Sequence, residues 1–249
     1  MKEKPNIHIG TSGWHYKHWM GNFYPPGLKS KDFTNYYLQF FRTVEINNSF
    51  YKLPTKETFA NWYNSVPEDF VFAVKGSRFI THMKKLKDPQ QSMNLLMENV
   101  SELKEKLGPI LFQLPPLWKF NEERFRQFLQ VLPPYYRYTF EFRNPTWYNE
   151  TVYELLRQHH CAFCIYELAG HVSPILTTTD FVYIRLHGPN GKYAGSYPDS
   201  ALSWWANRCL KWQQQGLEVY VYFDNDEAGY AAFNAKRMLE LLKEKQGDI

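Results

Sequence analysis

The run Phe181-Val182-Tyr183-Ile184-Arg185-Leu186-His187 decides how this chain is to be read. Successive residues of a strand point to opposite faces. Ile184 and Leu186 therefore share one apolar face, while Arg185 and His187 share the other, near the C-terminal end of the run. Buried charge is costly unless it is paired or used, so a polar face at that height asks for an explanation.

The same pattern recurs on both sides of this run. Strand candidates are residues 7–12, 43–47, 71–75, 110–114, 138–143, 162–166, 181–187 and 219–224. One alternating set is apolar throughout, from Ile7 and Ile9 through Val44 and Ile46 to Val219, Val221 and Phe223. The other set turns polar toward the C-terminal ends, at Ser12, Glu45, Asn47, Lys75, Gln113, Glu141, Arg143, Tyr166, Arg185, His187 and Asp224. In a parallel barrel the C-terminal strand ends are where catalytic groups sit. A second reading stays open: Lys75, Arg143 and Arg185 neutralise Glu45, Glu141 and Asp224 as a solvated ion-pair network at the rim.

Amphipathic segments separate the strands. Phe33, Tyr37, Phe40 and Phe41 repeat at helical spacing within residues 31–42. Asp88 followed by Pro89 reads as an N-cap and first helical residue, opening a helix to about Leu107. Asn121 caps a helix ending at residues 132–134, and Asn149 caps residues 151–159. Residues 200–215 stop at Gly216, and a last helix runs from about Glu227 to Lys245. Residues 167–180 are too short and broken for a full helix, which predicts a shortened crossover between strands 6 and 7. Strand–helix alternation over 249 residues predicts an α/β chain, a (β/α)8 TIM-barrel-like single domain spanning residues 1–249.

The composition is 44% hydrophobic and 22% charged, which excludes a disordered chain. Aromatic residues reach 18% and must be packed or used at a binding surface. Many fall in loops after the strands: Trp14, Tyr16, Trp19, Phe23 and Tyr24 first, then Phe50, Tyr51, Trp118, Phe120, Trp147, Tyr148, Tyr193 and Tyr197. Such rings suit the face of a sugar or nucleobase, or else pack as a lid.

The net charge of +4 comes from scattered basic residues, so composition does not ask for a phosphate-tracking patch. Three cysteines make no disulfide framework. Met1-Lys2-Glu3-Lys4-Pro5 lacks the apolar stretch of a signal peptide, and no segment approaches the roughly 20 apolar residues that span a bilayer. These features predict a cytoplasmic protein with no membrane partner.

Cys161-Ala162-Phe163-Cys164 has redox or zinc spacing but overlaps the sixth strand candidate, where residues three apart face opposite ways. His187, Glu45, Glu141 and Asp224, with His82, leave a divalent metal open, but no metal-binding spacing is present and no metal ligand is assigned. Gly188-Pro189-Asn190-Gly191 lacks the Lys-Ser/Thr ending of a phosphate loop.

At Gly10-Thr11-Ser12-Gly13-Trp14-His15-Tyr16 and Val44-Glu45-Ile46-Asn47-Asn48-Ser49-Phe50-Tyr51 the chain resembles the DUF72 (YecE-like) proteins, a widespread bacterial family of unknown function. The resemblance continues through Phe72-Ala73-Val74-Lys75, residues 107–116, Glu141-Phe142-Arg143, residues 180–188 and Tyr222-Phe223-Asp224-Asn225-Asp226. It implies a TIM-barrel-like fold and no particular activity. Where the family often reads Phe-Asn-Asn-Asp this chain has Asp224, so the resemblance gives Asp224 no general catalytic role.

The expectation is an enzyme of hydrolase, lyase or isomerase type, acting by acid/base chemistry on a small anionic ligand such as a phosphorylated or carboxylated sugar or nucleoside. Glu45, Glu141 and His187 are its catalytic candidates. Ser12, Trp14, Asn47, Lys75, Gln113, Arg143, Arg185 and Asn225 are its ligand-binding candidates, since guanidinium forks match such oxygens. No cofactor is predicted, and the oligomeric state is left open. One alternative is a nucleic-acid binding or processing protein that stacks bases on the loop aromatics, which is not favoured. Another is a non-catalytic ligand-binding protein. A glycosidase is a subsidiary reading, which the Glu45–Glu141 separation would test.

Overall fold

The structure, a computed structural model, describes residues 6–247. Residues 1–5, on which the reading of a polar terminus rests, lie outside the described residues. In chain order the strands are β1 (Ile7–Thr11), β2 (Thr43–Ile46), β3 (Val71–Lys75), β4 (Leu107–Leu114), β5 (Tyr138–Phe142), β6 (Ala162–Leu168), β7 (His171–Val172), β8 (Phe181–Leu186) and β9 (Glu218–Phe223). The helices are α1 (Phe33–Tyr37), α2 (Lys56–Asn64), α3 (Gln90–Val100), α4 (Glu122–Gln130), α5 (Glu150–Gln158), α6 (Asp199–Gln214) and α7 (Tyr230–Gln246). Parallel strands alternating with helices give the (β/α)8 TIM-barrel-like fold expected. The crossover from β6 to β8 carries no helix, only the two-residue β7 pairing antiparallel with the end of β6.

The chain divides into two compact units. The first holds residues up to Val44, Ile165–Ile175 and the chain from Asp180 onward. In it β9 lies between β1 and β8, in parallel register from Ile7 opposite Val219 to Leu186 opposite Phe223. Helices α6 and α7 pack together, and α7 lies against β1 and β9. Gly10 permits a close approach: a Cβ there would sit 2.3 Å from the Thr43 carbonyl oxygen. The Tyr37 hydroxyl ties the same region, donating to the Thr43 carbonyl at 3.0 Å and accepting from the Thr11 amide at 3.1 Å.

The second unit holds Glu45–Cys164 and Leu176–Thr179. Here β4 lies between β3 and β5, with Gln113 directly opposite Glu141. The core of this unit is aromatic. Phe112, Phe125, Phe128, Phe140, Phe142 and Trp147 are all fully buried, and Phe142 stacks on Trp147 at 4.9 Å. Each such ring adds on the order of 2 kcal/mol by leaving water.

Several boundaries differ from the sequence reading. Residues 31–42 form a 3-10 turn and the short α1, where a longer helix was expected, and the Arg42 guanidinium takes the Leu38 carbonyl just past its end. Asp88 has a left-handed φ of 43° and does not cap α3, which begins at Gln90 with Pro89 in the cap position and no side-chain cap. That helix ends at Val100 instead of about Leu107, because Lys104 breaks the following turn with φ 48° and ψ −127°. The chain then enters β4 at Leu107, earlier than residue 110. Helix α2 was not read from the sequence, although its Thr55 cap accepts from the Thr58 amide. Helix α7 starts at Tyr230 instead of Glu227 because Gly229 is left-handed, with φ 75°. Asn121 and Asn149 cap α4 and α5 as expected.

Candidate functional site

In the first unit the polar strand-end residues meet. The Ser12 amide donates to the Phe223 carbonyl and the Asp224 amide to the Leu186 carbonyl, each at 2.8 Å, so the ladder carries both residues past their strands. Arg185 is fully buried. Its Nη2 donates to Asp224 Oδ2 at 2.9 Å and lies 3.3 Å from Ser12 Oγ. Its Nη1 lies 3.3 Å from His187 Nε2. A guanidinium has no lone pair to offer, so Nε2 is the acceptor and the ring proton belongs on Nδ1. That nitrogen lies 3.0 Å from Asp224 Oδ2. The Tyr193 ring meets His187 edge-on at 5.3 Å.

Asn225 is fully buried and works through its amide. Nδ2 donates to the Gly195 carbonyl and to Asn234 Oδ1, each at 2.8 Å, while Asn234 Oδ1 also accepts from the Tyr197 amide at 3.1 Å. Asn225 thereby holds the loop that follows β8. Its Oδ1 has no hydrogen-bond partner among the described residues.

Asp226 was missed by the sequence reading, although it ends the quoted Phe223-Asp224-Asn225-Asp226 run. The Trp19 indole N–H donates to its Oδ1, and His18 Nε2 lies 2.8 Å from Oδ2 and 2.9 Å from its carbonyl oxygen. Burial pushes the Asp226 carboxyl up to about 6, and the bonds from Trp19 and His18 oppose that rise. His18, Tyr193 and Asp226 help line a cavity of about 410 Å³.

Trp14, a ligand-binding candidate, is buried among its neighbours, and its indole N–H donates to Thr34 Oγ1 at 3.1 Å. Trp19, Phe23, Tyr24 and Tyr197 are likewise buried in this unit, whereas Tyr193 is half-exposed. These loop rings are mostly packing.

The other candidates lie in the second unit. Glu45 and Glu141 are fully buried, and Lys75, the last residue of β3, is nearly so. Burial at this level departs from the solvated rim network. Arg143 Nε donates to Glu141 Oε1, and Cys164 Sγ lies 3.9 Å from Glu141 Oε2. Lys75 Nζ sits 4.3 Å above the Phe50 ring. Ser49 Oγ fixes the end of β3 by donating to the Lys75 carbonyl at 2.6 Å. His82 meets Phe50 edge-on at 5.0 Å. Burial lowers the His82 pKa, Lys75 and Arg78 lower it further, and Glu141 opposes them. Asn47 Oδ1 is buried with no hydrogen-bond partner among the described residues.

Among the described residues no group of three or more His, Cys, Asp or Glu is arranged to hold a metal ion. Cys161 and Cys164 are both buried, and burial pushes the Cys161 thiol up to about 12, against the thiolate a metal or redox site needs. No helix among the described residues is long and apolar enough to cross a membrane.

The chain is 28% identical to the protein described as UPF0759 protein YunF of Bacillus subtilis, over 95% of this chain and 94% of that one. It is 27% identical to UPF0759 protein YecE of Escherichia coli over 57% of this chain and 50% of that one. Among solved structures, a DUF72 family protein of Thermotoga maritima superposes with a TM-score of 0.87 at 31% identity, covering 95% of this chain and 99% of that one. A DUF72 family protein of Enterococcus faecalis gives a TM-score of 0.79 at 21% identity, covering 96% of each chain, a likeness of fold. The model described as "Protein of unknown function DUF72" matches residues 8–249, and this chain belongs to that family.

Proposed function

We propose that this protein is an enzyme that moves protons on a small anionic ligand, a phosphorylated or carboxylated sugar or nucleoside. The observation that carries the reading is the packing of Arg185, His187 and Asp224 in the first unit, with each contact at 3.3 Å or less. A structural ion pair needs only a guanidinium and a carboxylate. The added imidazole can both accept and donate a proton, and its Nδ1 stands 3.0 Å from the Asp224 carboxylate. The Arg185 guanidinium, bonded to Asp224 and beside Ser12 Oγ, gives this cluster the positive charge that an anionic group would meet.

In the second unit the same reading gives Glu45 and Glu141 the acid/base work and Lys75 and Arg143 the anion contacts, with Asn47 and Gln113 as hydrogen-bonding groups. Glu141 is held by the Arg143 guanidinium, and both carboxylates are fully buried. A cytoplasmic setting is supported by three cysteines that form no disulfide.

The test is a substrate panel of sugar phosphates, uronates and nucleoside monophosphates followed by proton NMR, with wild type beside His187→Gln. The reading expects at least one member to be converted by the wild type, with conversion by His187→Gln reduced by about 100-fold or more while binding persists. Conversion unchanged in His187→Gln, or no member bound or converted, would overturn it.

A further inference from the structure

A groove of about 360 Å³ opens in the second unit between the segment after β3 and helix α3. Leu53, Ile80 and Leu96 contribute to its lining, with Ile80 and Leu96 at 2% and 1% exposure forming an apolar floor. Phe79 and Leu95 stand beside them at 43% and 54% exposure. Large apolar side chains half out of water around an apolar floor are the form of an unfilled docking site.

The charge close to the groove is mainly positive, with Asp88 the one carboxylate of residues 77–88. Residues 77–87 carry Arg78, Lys84, Lys85 and Lys87 and no carboxylate, and Lys84 Nζ lies 5.8 Å from the Phe79 ring centroid. The facing helix α3 brings no charge before Glu98, which is paired with Lys56.

The segment that bears these cations is also built in a costly way. Phe79–Met83 is a π-helical turn, and Lys85, Leu86 and Asp88 follow with left-handed φ of 48°, 62° and 43°. Residues with a side chain avoid that region, and π-turns are frequent at functional sites. Leu86 is buried, and its amide donates to the Ile80 carbonyl at 2.9 Å. The turn is therefore pinned from below while Phe79 and Met83 are held outward, Met83 at 65% exposure. A wall fixed beforehand loses little freedom on binding.

We propose that this groove docks an amphipathic acidic peptide segment of a partner protein. Its apolar residues enter between Phe79 and Leu95, and its carboxylates face Arg78, Lys84, Lys85 and Lys87. The proposal does not rest on the enzymatic reading above.

The experiment is fluorescence anisotropy with a labelled amphipathic peptide of about 15 residues, Leu and Phe on one helical face and Glu elsewhere. Two controls accompany it, one with Lys replacing Glu and one with Ser replacing the apolar residues. Binding of the acidic amphipathic peptide alone is expected. Leu95→Glu or the pair Lys85→Glu and Lys87→Glu should weaken it by about tenfold or more, and salt should weaken it further. These positions are exposed, and circular dichroism melts confirm that the variants fold. Equal binding of the acidic and basic peptides, no binding of either, or unchanged affinity in Leu95→Glu would overturn the proposal. So would sedimentation showing a dimer that Leu95→Glu dissolves, since a second copy would then fill the groove.

Discussion

His187 Nδ1 lies 3.0 Å from Asp224 Oδ2, on the opposite side of the ring from the nitrogen that faces Arg185. The guanidinium can only donate, so the two contacts together select one neutral tautomer. Long-range proton–nitrogen NMR of the neutral ring should show the proton on Nδ1. A proton on Nε2 would mean that Arg185 does not face the ring in solution.

Asp226 supplies a pH signature. Its carboxyl is pushed from the ordinary 3.8 to about 6, chiefly by burial. A carboxyl with a raised pKa binds its proton more tightly in the folded chain than in the unfolded one. It therefore favours the fold at low pH, and that advantage is lost as pH rises through about 6. The stability of wild type minus that of Asp226→Asn should fall between about pH 4 and pH 6 and stay level above. Urea unfolding across that range measures it, and a flat difference would contradict the shift.

Arg143→Ala should cost about 3 kcal/mol, because it strands the fully buried Glu141 carboxylate without its guanidinium. Removing both groups, in Arg143→Ala with Glu141→Gln, should cost less than the sum of the single changes, as a double-mutant cycle in urea would show.

Gly10→Ala tests the approach of β1 to Thr43. A Cβ 2.3 Å from a backbone oxygen has no flexible neighbour to displace. The expected loss is about 3 kcal/mol, read as a shift in the urea midpoint with an unchanged slope.

All strands but the two-residue β7 were legible because each carries an alternating apolar set long enough to fix its face, as Val219, Val221 and Phe223 do in β9. Helix ends were legible where a side chain makes the cap, as at Asn121 and Asn149. They were illegible where backbone conformation decides, as at Asp88 and Lys104, whose left-handed φ no residue pattern announces. Among the site candidates, the Arg185–Asp224–His187 cluster follows from the polar ends of β8 and β9, which pair directly in register. Asp226 escaped because its importance comes from Trp19 and His18, more than two hundred positions earlier in the chain. The loop aromatics were ambiguous for a related reason. A ring in a loop reads the same in sequence whether it packs, as Trp14 does, or stands half-exposed, as Tyr193 does.

Calorimetric titration with ribose 5-phosphate and glucuronate, comparing wild type with Arg185→Lys, bears most directly on the anion-holding role of the Arg185 cluster. The predicted result is measurable binding of at least one of the two, weakened about tenfold or more when the planar fork is replaced by a single ammonium. Binding that is absent for both, or equal in the two proteins, would contradict it.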